Sequence, residues 1–177
     1  MKSRLHIFDS KLGKLIGSLP DWMRGLMLLM TYLGQPIITG GLGALFIGLG
    51  IGKDSHSLKM AGLVAVGTLI VGSLLKLIMR RDRPVTEYVE HMYLDTFSFP
   101  SGHAAGTVPV YGLLAYLIAL TNQPWSLPLV ILIAFGTFLI GISRVYLGAH
   151  YASDVIGGWV VGLSGLAVII FIVQPTL

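Results

Sequence analysis

Of the chain's 177 residues, 54% are hydrophobic and only 11% charged, with a mean hydropathy of +0.81, whereas an average soluble domain carries about 25% charged residues. That composition excludes a water-soluble globular fold and places the chain in lipid. The absence of cysteine excludes disulfides, thiolate chemistry and thiolate metal sites, and the net charge of +4, scattered along the chain, makes nucleic acid an unsuitable partner.

The first 20 residues form a leader, bounded at about residue 22. Leu5, Phe8, Leu12, Leu15, Ile16 and Leu19 recur at helical spacing, with Lys2, Arg4, Asp9, Lys11, Lys14 and Ser18 on the remaining positions. The pattern predicts an interfacial amphipathic helix; a solvated helix without a role is the alternative. The continuous apolar run and small-residue cleavage site of a signal peptide are both missing.

Five stretches then reach the roughly 20 apolar residues needed to cross a bilayer, near 24–51, 59–79, 102–121, 127–147 and 152–173. Gly34-Gln35-Pro36 predicts a kink or break in the first, Pro128 suits a helix start, and Pro109 lies inside the third. The expected fold class is therefore all-α: a polytopic membrane helical bundle of about five transmembrane helices plus the amphipathic leader, in one domain over residues 1–177. Twenty-three glycines suit close helix packing in such a bundle.

Three polar islands interrupt this apolar chain: Lys76 with Arg83-Pro84, then Pro100-Ser101-Gly102-His103, then Ser143-Arg144 with His150 and Asp154. Ionisable residues within a membrane span pair with one another or carry function. With five crossings, the connections at 80–101 and 148–151 open on the same side, so the islands can share one site.

Lys76 and Arg83 are seven residues apart and share a helix face if the second span runs on to Arg83. Arg80 and Arg81 read as membrane-end anchors. Ser101 and Gly102 open the third span, where a helix N-terminus cradles a phosphate oxygen and glycine allows close approach; Ser101 is equally a plain N-cap. His103, just inside that helix, is either satisfied structure or a catalyst. His150 and Asp154, four apart on one helical face, suit a carboxylate that accepts the Nδ1–H and leaves Nε2 to attack. In the structural alternative, Asp154 pairs with Arg144 to hold helices together. Fixed cations, two imidazoles, a hydroxyl and one carboxylate make an inventory for handling phosphate.

The blocks Lys76-x6-Arg83-Pro84, Pro100-Ser101-Gly102-His103 and Ser143-Arg144-x5-His150-x3-Asp154 resemble, in order and spacing, the three signature blocks of the type 2 phosphatidic acid phosphatase superfamily. The likeness covers roughly residues 60–173. It implies a metal-independent phosphatase without cofactors, in a helical membrane core related in its active site to vanadium haloperoxidases. Its substrate would be a lipid phosphate or diphosphate, drawn from phosphatidylglycerol phosphate, phosphatidic acid, polyprenyl diphosphates or lipid A phosphates. Carried over, His150 is the nucleophile, Asp154 orients it, and His103 protonates the leaving oxygen and then activates water. Lys76, Arg83 and Arg144, with Ser101 and the Gly102 N–H, hold the phosphoryl oxygens. The rivals are a lipid phosphotransferase, a lipid-binding or transport protein, and, last, a haloperoxidase.

The amphipathic leader stands where the family commonly has a first crossing. The resemblance implies a bacterial plasma-membrane protein with its site on the extracytoplasmic side. A positive-inside count opposes this, since Lys2, Arg4, Lys11, Lys14 and Arg24 fall on the site's side and only Lys53 and Lys59 opposite. Tyr88, Tyr93, Phe97 and Phe99 in the connection at 85–99 either flank the site or form an ordinary aromatic belt, and Glu87, Glu90 and His91 either tune headgroup choice or are solvated.

Overall fold

The computed structural model describes residues 4–92 and 96–173. Lys2 of the leader and Tyr93 of the aromatic connection lie outside the described residues. Helix α1 (Arg4–Gly17) is followed by a 3-10 turn at Asp21–Met23, then α2 (Arg24–Leu33), α3 (Pro36–Gly52), α4 (His56–Met79), the one-turn α5 (Glu87–Glu90), α6 (Gly102–Leu120), α7 (Ser126–Tyr146) and α8 (Ala152–Val173). Among the described residues there is no strand.

Helices α4, α6, α7 and α8 are each long and apolar enough to cross a membrane, and Asp21–Leu33 with Pro36–Gly52 passes the same test as a pair bent by 43°, a broken span or a re-entrant loop. The bend falls where the sequence predicts it: Gly34 ends α2, and Pro36, which has no N–H to lose, occupies the first turn of α3. Pro109 remains inside an unbroken α6, and Pro128 sits in the first turn of α7.

The inner core joins α3, α4, α6 and α8 through Phe46, Ala61, Ala65, Val110, Leu113, Ile169 and Val173. Ile78, Leu132 and Phe171 point outward as lipid-facing surface. Small residues bring the spans together backbone to backbone, as expected where lipid tails are as apolar as the side chains. A Cβ on Gly158 of α8 would lie 2.6 Å from the Ser101 carbonyl oxygen, and one on Gly162 would lie 2.9 Å from the Ala105 carbonyl oxygen. Helices α6 and α8 therefore touch along their lengths.

Two expectations are corrected. Helix α4 does not run on to Arg83: it stops at Met79, with Arg80 in the left-handed region (φ 45°) returning its N–H to the Lys76 carbonyl. The chain then leaves the helix axis, which lets Arg81 and Arg83 reach residues around α8 that a continuous helix would have denied them. Asp9 does not sit on a solvated face of the leader either. It is 3% exposed, while Leu12 and Ile16 pack on Ala104, Val145, Ala152 and Val155. Leu5, Phe8 and Leu15 stay exposed on α1, an apolar strip suited to a membrane surface.

Candidate active site

The three islands converge at one end of the bundle. Ser101 keeps a non-helical conformation (φ −66°, ψ 117°) and its Oγ accepts the Ala104 N–H, so it is the N-cap of α6. Its own N–H donates to the Asp154 carbonyl at 2.9 Å, tying the start of α6 to the start of α8. A Cβ on Gly102 would have only Lys76 Cε near it, at 3.9 Å, so the α6 N-terminus faces open space beside a cation. The Lys76 ammonium donates to the Phe97 carbonyl at 2.6 Å.

Around His150 the geometry fixes a tautomer. One Arg83 NH group lies 3.2 Å from His150 Nε2, and a guanidinium can only donate. Nε2 is therefore the lone-pair nitrogen, and Nδ1 carries the proton toward Ser98 Oγ at 3.4 Å and Asp154 Oδ2 at 3.5 Å. Burial drives the pKa of His150 down to about 3, because a charged ring would lose its hydration; Asp154 pulls upward, while Arg144, Arg83 and Lys76 push further down. The ring is thus a neutral imidazole at physiological pH. Arg83 is anchored besides by the carbonyls of Thr96 (2.7 Å) and Ala149 (2.9 Å) and by Thr96 Oγ1 (2.9 Å).

Arg144 is 2% exposed. It donates to Thr31 Oγ1 of α2 and lies under the Tyr88 ring at 5.6 Å, with the phenol oxygen 3.4 Å away. Its Nε has no hydrogen-bond partner among the described residues. Arg144 and His103 line a cleft of about 930 Å³, whose walls include Thr31, Gln35, Tyr88 and His91. His150 is 3% exposed and does not line this cleft.

The carboxylate keeps the His150 Nδ1 side of the first reading, at 3.5 Å, but not the partner of the second. Asp154 does not pair with Arg144. Its Oδ1 accepts from Arg81 at 2.7 Å, and its Oδ2 accepts from Ser98 Oγ and, at 2.9 Å, from the Tyr151 N–H. Arg81 is thus no membrane-end anchor, whereas Arg80 is exposed and its Nε donates within its own helix end, to the Leu77 carbonyl. Tyr88 flanks the site, but Phe99 packs its ring on Gly157 of α8 instead. Ser98, Thr96, Thr31 and Arg81 escape a sequence reading. Ser98 stands two residues before Pro100, yet nothing in one dimension separates it from other loop serines.

Fold and site define an integral membrane protein with cations, imidazoles and a buried carboxylate gathered at one end of a helical bundle. The description "PAP2 superfamily" matches residues 57–176. Phosphatidylglycerophosphatase B of Bacillus subtilis is 31% identical over 150 residues, covering 80% of this chain and 71% of that protein. An undecaprenyl-diphosphatase of Sulfolobus acidocaldarius is 30% identical over 146 residues, covering 79% and 66%. The crystal structure of a transmembrane PAP2-type phosphatidylglycerolphosphate phosphatase from Bacillus subtilis matches with a TM-score of 0.82 at 25% identity, over 99% of this chain and 89% of that one. The chain belongs to the PAP2 superfamily, a family of phosphatases.

Proposed function

We propose that the protein hydrolyses a phosphomonoester or diphosphate of a membrane lipid, with polyprenyl diphosphate and phosphatidylglycerol phosphate ahead of phosphatidic acid, through a metal-independent phosphohistidine route. The two relatives named for phosphatidylglycerol phosphate and undecaprenyl diphosphate support this substrate class. The observation that carries the chemistry is the His150 tautomer, with its lone pair on Nε2 among the cations and its proton on Nδ1 toward Ser98 and Asp154.

In the first step His150 Nε2 attacks phosphorus, and the bond to the leaving oxygen breaks as His103 delivers a proton to that oxygen. Asp154 stabilises the imidazolium that forms at the Nδ1 side. In the second step His103 takes a proton from water, which attacks the phosphohistidine and returns His150 to its neutral state. Lys76, Arg83, Arg144 and the first N–H groups of α6, with Ser101 holding the α6 start, neutralise the phosphoryl oxygens, the task on which phosphoryl transfer chiefly depends. To bind phosphate, Arg83 exchanges its contact with Nε2 for one to a phosphoryl oxygen, which uncovers the nucleophile. The site then faces the extracytoplasmic side of a bacterial plasma membrane, with the Lys and Arg residues of α1 among lipid headgroups.

The test is phosphate release by purified protein in detergent with EDTA, on a panel of lipid phosphates and diphosphates, against His150→Ala. Release that survives chelation and is lost in the variant supports the route. Equal release by the variant refutes the nucleophile, and phosphate appearing on a second lipid reassigns the protein as a phosphotransferase.

A further inference from the structure

Asp9 is the feature that the reaction above leaves unused. It lies in α1, well before the region matched to the family at residue 57, yet its side chain is 1% exposed and points into the first turn of α8. Its Oδ1 accepts the Ser153 N–H at 2.9 Å and its Oδ2 the Ser153 hydroxyl at 2.8 Å. Oδ2 also accepts from Arg81 NH2 at 2.7 Å. The other end of the same guanidinium, NH1, donates to Asp154 Oδ1 at 2.7 Å and to Ser153 Oγ at 2.7 Å. The plane of Arg81 rests on the Tyr151 ring, 4.2 Å from its centroid. The result is a chain of contacts, Asp9 to Arg81 to Asp154 to His150.

The geometry matters because a guanidinium prefers to grip a carboxylate with two parallel N–H groups. Here Arg81 is divided between two carboxylates, one on each terminal nitrogen, so it holds only Oδ1 of Asp154. Oδ2 is left to Ser98, the Tyr151 N–H and His150. Without Asp9, Arg81 would have every reason to rotate and take both oxygens of Asp154. Asp9 also caps the start of α8 from outside that helix, where a negative charge is favoured by the helix dipole.

We propose that Asp9 is a positioning residue for the phosphatase reaction: it occupies one end of Arg81, so that Asp154 keeps Oδ2 turned to His150, and it makes α1 a working part of the site. The inference rests on the reading of His150 as nucleophile.

The experiment is steady-state phosphate release in detergent by wild type, Asp9→Asn and Asp9→Glu, with thermal unfolding of each. Asp9→Asn should lower kcat about tenfold or more with KM within about twofold, the pattern of an interaction expressed in the transition state, and Asp9→Glu should recover much of it by restoring charge to Arg81. An active wild type with Asp9→Asn unchanged in kcat, or altered in KM alone, overturns the inference. A wild type that releases no phosphate overturns the underlying reading and this inference with it. If Asp9→Asn does not survive purification, Leu12→Ala loosens α1 without touching a charge. A fall in kcat at constant KM in that variant supports the role of α1, and unaltered kinetics overturn it.

Discussion

Replacing Ser98 with alanine isolates one contact. Its hydroxyl is fully buried, donates to Asp154 Oδ2 and lies 3.4 Å from His150 Nδ1. A hydrogen bond to a charged group contributes about 1.5–3 kcal/mol. Asp154 keeps Arg81 at 2.7 Å and the Tyr151 N–H at 2.9 Å, so its charge is not left unpaired and the loss should fall in the lower half, about 1.5–2 kcal/mol. Expressed in the transition state, that is a fall in kcat of roughly 10- to 30-fold. KM should stay within about twofold, because Ser98 is not part of the cleft wall. Tm should drop by about 3–8 °C. The assay is phosphate release from lipid phosphate in detergent micelles, with unfolding followed on the same preparation. An S98A protein with wild-type kcat and wild-type Tm would refute the placing of this hydroxyl in the Asp154–His150 contact.

Thr31→Val keeps the shape of the side chain and removes the oxygen to which buried Arg144 donates; with Nε already lacking a partner among the described residues, the guanidinium should shift and kcat/KM should fall about 5- to 30-fold, read from initial rates. Gly158→Ala puts a Cβ 2.6 Å from the Ser101 carbonyl oxygen and 2.7 Å from Ala104 Cβ, so detergent unfolding should show a loss of about 1–3 kcal/mol. Gly136→Ala, which meets nothing within 4 Å, should be neutral or slightly stabilising.

Four of the expected spans, the break at Gly34 to Pro36 and the end of the bundle shared by the islands were legible because they depend on hydrophobic length and on proline, both local properties. Which residues pair across the site was not. Arg80, Arg81 and Arg83 look alike as a basic cluster, and only the left-handed turn at Arg80 sends Arg81 to Asp154 and Arg83 to His150. The leader's periodicity announced an amphipathic helix but placed Asp9 with the charged residues, since periodicity alone does not reveal a partner more than 70 positions away. The candidate pair His150 and Asp154 was visible from its spacing of four, whereas Ser98 lies more than 50 residues distant and reaches them only through the fold.

The glycine contact between α6 and α8 has a bearing on how such a site can diversify. His103 rides on α6 and Asp154 on α8, and at Gly158 and Gly162 these helices come close main chain to main chain, tied further by Ser101 to Asp154. Spacing between His103 and Asp154 is thus set there by main chain, with no room for an added Cβ at Gly158. The three cations ride on separate parts, Lys76 on α4, Arg83 on an extended connection and Arg144 on α7. On the proposed mechanism, a different headgroup would be met by re-aiming the cations, through α2, α5 and the segment after α4, with the spacing of His103 and Asp154 left as it is.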